Sequence, residues 1–182
     1  MLLFHTSHQV IERPDVHLGR ANADFGQGFY LTSDEAFACR WARLRKGEQT
    51  VVNAYELDLT GLSVHRLSRD GEWFNYIFSN RSGRADMLPD ADVIIGPIAN
   101  DTIYDTYGIF TSGLMEPAQA LELLKMGPEY EQIALKTEKA AERIEWLSAK
   151  VLDPEDVLAY RSIVVAEEAS YQELIAEAIN NQ

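Results

Sequence analysis

The stretch Asp24-Phe25-Gly26-Gln27-Gly28-Phe29-Tyr30-Leu31-Thr32 constrains this chain more than any other. Gly26 and Gly28 permit backbone shapes and a close ligand approach that a Cβ would block. Phe29, Tyr30, Leu31 and Thr32 all favour the extended state. A tight turn feeding an aromatic strand can present Tyr30 as a flat wall beside a cleft. The plainer reading is a hairpin turn with Phe29 and Leu31 in the core. Both readings place a strand at 29–32.

Around that strand the chain alternates short apolar runs with breakers. Met1 to Thr6 reads as a strand that carries His5, and residues 8–23 as a loop with one turn. Ser33 and Asp34 can cap a helix over 35–46, which Gly47 ends. Val51 to Leu59 alternates like a strand, and Gly61 breaks it. After the Asp70-Gly71 turn, 72–80 predicts a helix with Trp73, Phe74 and Ile77 inward. Asp92 to Ile98 is a nearly continuous apolar run, as expected of a buried strand. Helix is expected over 117–125, then a break at Gly127-Pro128, and a strand over 130–135. Further helices are expected over 138–151 and, beyond Asp153-Pro154, over 155–180. The interleaving predicts an α+β domain.

Length and charge narrow the function. A chain of 182 residues supports one sizeable core and is short for two. Its 16 basic and 29 acidic residues leave a net charge of −13, a field that repels phosphate backbones and anionic membranes. That argues against a general nucleic-acid binder. Arg40, Arg43, Arg45 and Lys46, like Arg66 and Arg69, then read as solvated faces. Cys39 is the single cysteine, so no intramolecular disulfide can form, and a small buried thiol is expected. His8, His17 and His65 lack metal-ligand spacing, and no metal site is assigned. No signal-peptide pattern and no run of about 18 apolar residues is found, so a cytoplasmic protein without a membrane span is expected.

His5, Tyr30 in its G-x-G-F-Y-L-T setting, and a polar residue opening a late strand together resemble the ADP-ribosyltransferase superfamily. More closely, the chain resembles an uncharacterised bacterial family within it that carries D-F-G-x-G-F-Y-L-T near its start. Three further blocks carry the likeness: Phe74 to Arg81, Asp92 to Asp101 and Gln132 to Ala140. The likeness runs from about Leu2 to Leu147. It implies an ADP-ribosyltransferase-like domain over 1–147, with a split mixed sheet flanked by helices, and a C-terminal helical extension over 148–182.

The resemblance also implies chemistry. NAD would be the co-substrate, and ADP-ribose would pass to a macromolecular acceptor with release of nicotinamide, a glycosyl transfer. His5 would bond the adenosine ribose, the backbone at Thr6 the nicotinamide carboxamide, and Tyr30 would stack on the nicotinamide ring. The third superfamily position falls on Gln132, with Arg20 and Arg81 as clamps for the pyrophosphate or, alternatively, surface ion-pair partners. Gly28 would let backbone approach the ligand. Two departures stand out: Thr6 replaces the usual glycine, and Gln132 is an amide where a glutamate is usual. An amide cannot supply negative charge to an oxocarbenium ion. Glu131, one residue earlier, points to the other face of a strand; with Glu129 it forms an E-x-E alternative register for the catalytic acid. Asp24 and Asp101 read equally as turn organisers or ligand contacts. The alternatives to a transferase, itself read as a bacterial toxin with a neutralising partner protein, are a non-catalytic NAD- or ADP-ribose-binding module and a partner-binding protein that uses the acidic C-terminal helix.

Overall fold

Strands with apolar residues on both faces need cover on both faces, and the computed structural model provides it in layers. It describes residues 1–99, 116–125 and 129–180. β1 (Leu2–Ser7), β3 (Thr50–Leu57) and β7 (Ile144–Leu152) form one sheet in the order β1-β3-β7. β2 (Phe29–Leu31), β6 (Glu131–Leu135), β5 (Val93–Pro97) and β4 (Val64–Arg66) form the second, in the order β2-β6-β5-β4. The first sheet is antiparallel, and the second is mixed because β4 and β5 run parallel. The fold is α+β.

Alternation along each strand separates three cores. Leu3, Tyr55 and Leu57 of the first sheet pack against Phe29, Leu31, Val93, Ile95, Ile133 and Leu135 of the second, forming the layer between the sheets. On the outer face of the second sheet, Ile94 and Ala134 pack beneath α2 (Gly71–Arg81) through Trp73, Tyr76 and Ile77. On the outer face of the first, Phe4 and Val52 lie beneath Ala38 and Cys39 of α1 (Glu35–Cys39) and Val157 of α5 (Pro154–Asn180). Period-two alternation thus sends Ile94 one way and Val93 and Ile95 the other. Cys39 is a free, buried thiol, and burial pushes its pKa up.

Two of the expected helices are corrected. The helix over 35–46 ends at Cys39, because Arg40, Trp41 and Ala42 bond carbonyls three residues back, a tightening turn. The Arg43 guanidinium then takes the carbonyls of Arg40 and Ala42, which a continuing helix would have needed. The helix over 138–151 is only α4 (Glu138–Ala141), after which β7 begins. Its Glu, Ala, Lys and Leu residues favour helix, but pairing with β3 and burial of Ile144 and Trp146 against the inter-sheet core outweigh that preference. β7 also carries the sheet across the 147/148 boundary expected from sequence. The short strand β4 was not expected. Asn100-Asp101 and Gly127-Pro128 lie outside the described residues. α3 (Pro117–Leu124) and α5 agree with the expected helices. No helix among the described residues is long and apolar enough to cross a membrane.

At one end of the second sheet, Asp92 ties three segments together. Its carboxylate accepts from the Ser63 N–H at 2.8 Å, the Thr137 hydroxyl at 2.7 Å and the Lys139 ammonium at 2.7 Å. Lys139 and the Ser63 N–H hold its pKa down at about 2. An acid depressed in the fold stabilises above its unfolded pKa, and that contribution is lost as pH falls toward 2. Asp92→Asn is expected to cost roughly 1–3 kcal/mol at pH 7. Urea titrations of both proteins should show the gap closing near pH 2.

Candidate functional site

The loop entering β2 is shaped by the strand it leads into. The Tyr30 hydroxyl donates to the Gly26 carbonyl at 2.7 Å and accepts from the Phe25 N–H at 2.9 Å. Asn80 of α2 donates to the Asp24 carbonyl at 3.0 Å, and the Lys136 ammonium bonds the Phe25 carbonyl. Gly26 has φ +74°, and a Cβ there would lie 2.8 Å from Lys136 Nζ. At Gly28 a Cβ would lie 2.6 Å from the Leu135 carbonyl oxygen. Gly28 therefore serves close packing on β6, and it does not line the cleft described next.

That cleft has a volume of about 330 Å³ and lies over the seam between the sheets. Among the described residues the backbones of the two sheets are bridged at one residue pair, Phe4 and Thr32, which exchange hydrogen bonds of 2.8 and 3.0 Å. Beyond it β1 and β2 part. His5, Tyr30 and Gln132, from β1, β2 and β6, all line the opening, together with Thr6, Arg20, Asp24 and Arg81. Phe37 and Trp41 form an aromatic wall. Thr6 shares the parity of Phe4, so its backbone N–H and C=O face the same open edge, where no described backbone group takes them up. Its hydroxyl donates to the Ala38 carbonyl at 2.6 Å.

His5 bridges the seam from the core side. Its ring lies 4.5 Å from that of Phe29, and Nδ1 sits 2.7 Å from the Tyr30 carbonyl oxygen. A carbonyl only accepts, so Nδ1 carries the hydrogen. Burial lowers the His5 pKa, with the Tyr30 carbonyl acting in the opposite direction. The imidazole is therefore neutral, and Nε2 is a lone-pair acceptor. For Tyr30, burial is the main cause of a raised pKa and the Asp24 charge adds to it, so the phenol keeps its proton.

Asp24 organises the cleft floor. Oδ1 accepts from Arg81 Nε at 2.9 Å and Nη2 at 2.5 Å. Oδ2 accepts from the Ala99 N–H and from Gln132 Nε2, both at 3.2 Å. The two side chains of the ion pair are 14% and 11% exposed, so its charges are largely out of water. Arg81 is thus neutralised at the site, whereas Arg20 is exposed and makes no ion pair with a described residue. Glu131 is exposed, on the opposite face of β6 from Gln132, and its carbonyl accepts from the Thr32 hydroxyl at 2.9 Å.

Sequence reasoning missed the role of Asp24 as a hub, the Ala99 N–H and the aromatic wall of Phe37 and Trp41. A signal for the hub was present. The loop is clasped by Asn80 and Arg81 from one sequence block, Ala99 from a second, and Gln132 and Lys136 from a third. Blocks that look unrelated along the chain converge on one turn.

Residues 1–146 match a family described as a protein of unknown function, DUF3990. No curated protein matches the chain.

Removing the Asp24 carboxylate takes the counter-charge from buried Arg81 and the acceptor from Gln132 and Ala99. Asp24→Ala is expected to cost about 3–5 kcal/mol in denaturant unfolding. Tyr30→Phe keeps the ring but leaves the Phe25 N–H without its acceptor, for an expected loss of about 1–3 kcal/mol. A Tyr30→Phe protein as stable as the parent would show that the hydroxyl does not hold the loop.

Proposed function

The chain belongs to the DUF3990 family of unknown function, and on the chemistry of its cleft we propose that it is an NAD-dependent ADP-ribosyltransferase, moving ADP-ribose to a macromolecular acceptor and releasing nicotinamide. One observation carries the reading. Two hydrogen-bond acceptors, an exposed arginine, an aromatic wall and an unpaired strand edge converge on a single cleft.

Each group has a counterpart in NAD. Ribose hydroxyls donate, and they suit the lone pair of His5 Nε2 and the carbonyl oxygen of Gln132. The diphosphate suits Arg20, whose planar guanidinium matches phosphate oxygens. A carboxamide both donates and accepts, as do the N–H and C=O of Thr6 at the open edge. The Tyr30 ring offers a surface for nicotinamide. In the reaction, the bond from ribose C1′ to the nicotinamide nitrogen breaks and its electron pair leaves with nicotinamide. An acceptor nucleophile bonds C1′ and loses its proton. The C1′ centre is oxocarbenium-like in between. The resemblance to bacterial ADP-ribosyltransferases extends the proposal to a toxin with a neutralising partner protein.

A second reading rests on Gln132 and Arg81. The amide brings a dipole without charge, and the Asp24 carboxylate is already paired with Arg81. A cleft of that kind suits a module that binds NAD or ADP-ribose without cleaving it.

Titration calorimetry should show saturable, one-to-one NAD binding. Arg20→Ala is expected to weaken NAD about tenfold, about 1.4 kcal/mol, while leaving nicotinamide riboside unaffected. NAD labelled in its adenine half, incubated with bacterial lysate, should transfer label to macromolecules. Binding without transfer favours the second reading, and a wild type that does not bind NAD overturns both.

A further inference from the structure

Position 132 bears an amide where the resembled superfamily bears a glutamate, and the residue facing it accounts for the difference. Gln132 Nε2 lies 3.2 Å from Asp24 Oδ2. A carboxylate has no hydrogen to give, so the amide nitrogen must face it and the amide oxygen must turn away. The same Asp24 is held in place by Arg81 from α2 on Oδ1 and by the Ala99 N–H, just beyond β5, on Oδ2. Every partner bonded to this carboxylate is a donor.

We infer that Asp24 is a positioning residue that fixes the polarity of Gln132, making position 132 an acceptor for a ligand hydroxyl and excluding a carboxylate there. The negative charge that the resembled pattern carries on the late strand is carried here by the loop and is shared with Arg81. An acidic side chain at 132 would put two carboxylates about 3.2 Å apart, where like charges oppose joint ionisation. Among the described residues, the other charged or titratable groups lining the cleft around the pair are Arg81, Arg20, His5 and Tyr30. Arg81 alone among them is bonded to Asp24, and it cannot neutralise two carboxylates. The identity of the hydroxyl as a ribose hydroxyl rests on the nucleotide reading above. The coupling between Asp24 and Gln132 does not.

The test is Gln132→Glu, Asp24→Asn and the double variant, compared with wild type by thermal unfolding from pH 4 to pH 8. The acid introduced by Gln132→Glu has its pKa raised in the fold by the Asp24 charge. Its penalty is therefore full at high pH and fades as pH falls through the raised value toward the ordinary glutamate range. Gln132→Glu should lower Tm by about 2–4 °C at pH 8 and match wild type near pH 4, where the protonated acid can donate to Asp24 as the amide did. This arm needs no Asp24 variant. In the Asp24→Asn background, Gln132→Glu should cost less than half of what it costs in wild type at pH 8, and the pH dependence of that cost should flatten. A structural defect unrelated to charge predicts neither effect. ADP-ribose is the ligand probe: Gln132→Glu should weaken its binding at least tenfold at pH 8, and the double variant should recover most of that loss.

Equal Tm for Gln132→Glu and wild type at every pH overturns the inference, as do losses in the double variant that simply add. If the thermal coupling holds but wild type binds neither ADP-ribose nor NAD, the coupling stands and the nucleotide reading falls.

Discussion

Two sheets that share a core must part somewhere, and here they part after one residue pair. Phe4 and Thr32 exchange two backbone hydrogen bonds, and past them β1 and β2 diverge. The candidate cleft depends on that divergence. It leaves the backbone edge at Thr6 open, draws His5 across the gap to the Tyr30 carbonyl, and creates a cleft between helices packed on opposite outer faces. Continued pairing of β1 with β2 would have consumed the Thr6 edge and closed the cleft.

An opening over a sheet seam needs a rigid floor, which the loop over 24–27 provides. It has no regular structure of its own, yet its carbonyls at Asp24, Phe25 and Gly26 are bonded by Asn80, Lys136 and Tyr30. Backbone bonded by side chains from α2, β2 and the end of β6 is as well satisfied as backbone in a sheet. The bonds also define its failure mode. Most of these partners are charged or largely buried, so a loss at one leaves a polar group stranded rather than hydrated.

The C-terminal helix supports the same cleft from behind its aromatic wall. Arg40 stacks 4.6 Å from the Tyr130 ring centroid and pairs with Glu167 of α5. Tyr130 in turn stacks 4.3 Å from Phe37, which lines the cleft. α5 therefore buttresses the aromatic wall as well as covering the first sheet through Val157. The basic run around Arg40, which reads as a solvated face in sequence, includes one arginine half buried between helix and wall.

Sequence alone determined the local elements whose pattern has one solution. The apolar run at β5 could only be buried, the capped segment after Asp70 could only be α2, and the glycine-flanked aromatic run could only be a strand. It also singled out His5, Tyr30 and Gln132. Tertiary structure decided the rest, wherever local preference and long-range pairing disagree. Residues 144–152 have helical composition but became the edge strand β7, because β3 offered a hydrogen-bonding partner and an apolar surface. Gly28 looks like a ligand-approach glycine and is a packing glycine, because β6 passes within contact distance. Asp24 reads equally as a turn organiser or a ligand contact, and it is the hub that ties the cleft together. Its partners lie far along the chain, and nothing local records that they will meet.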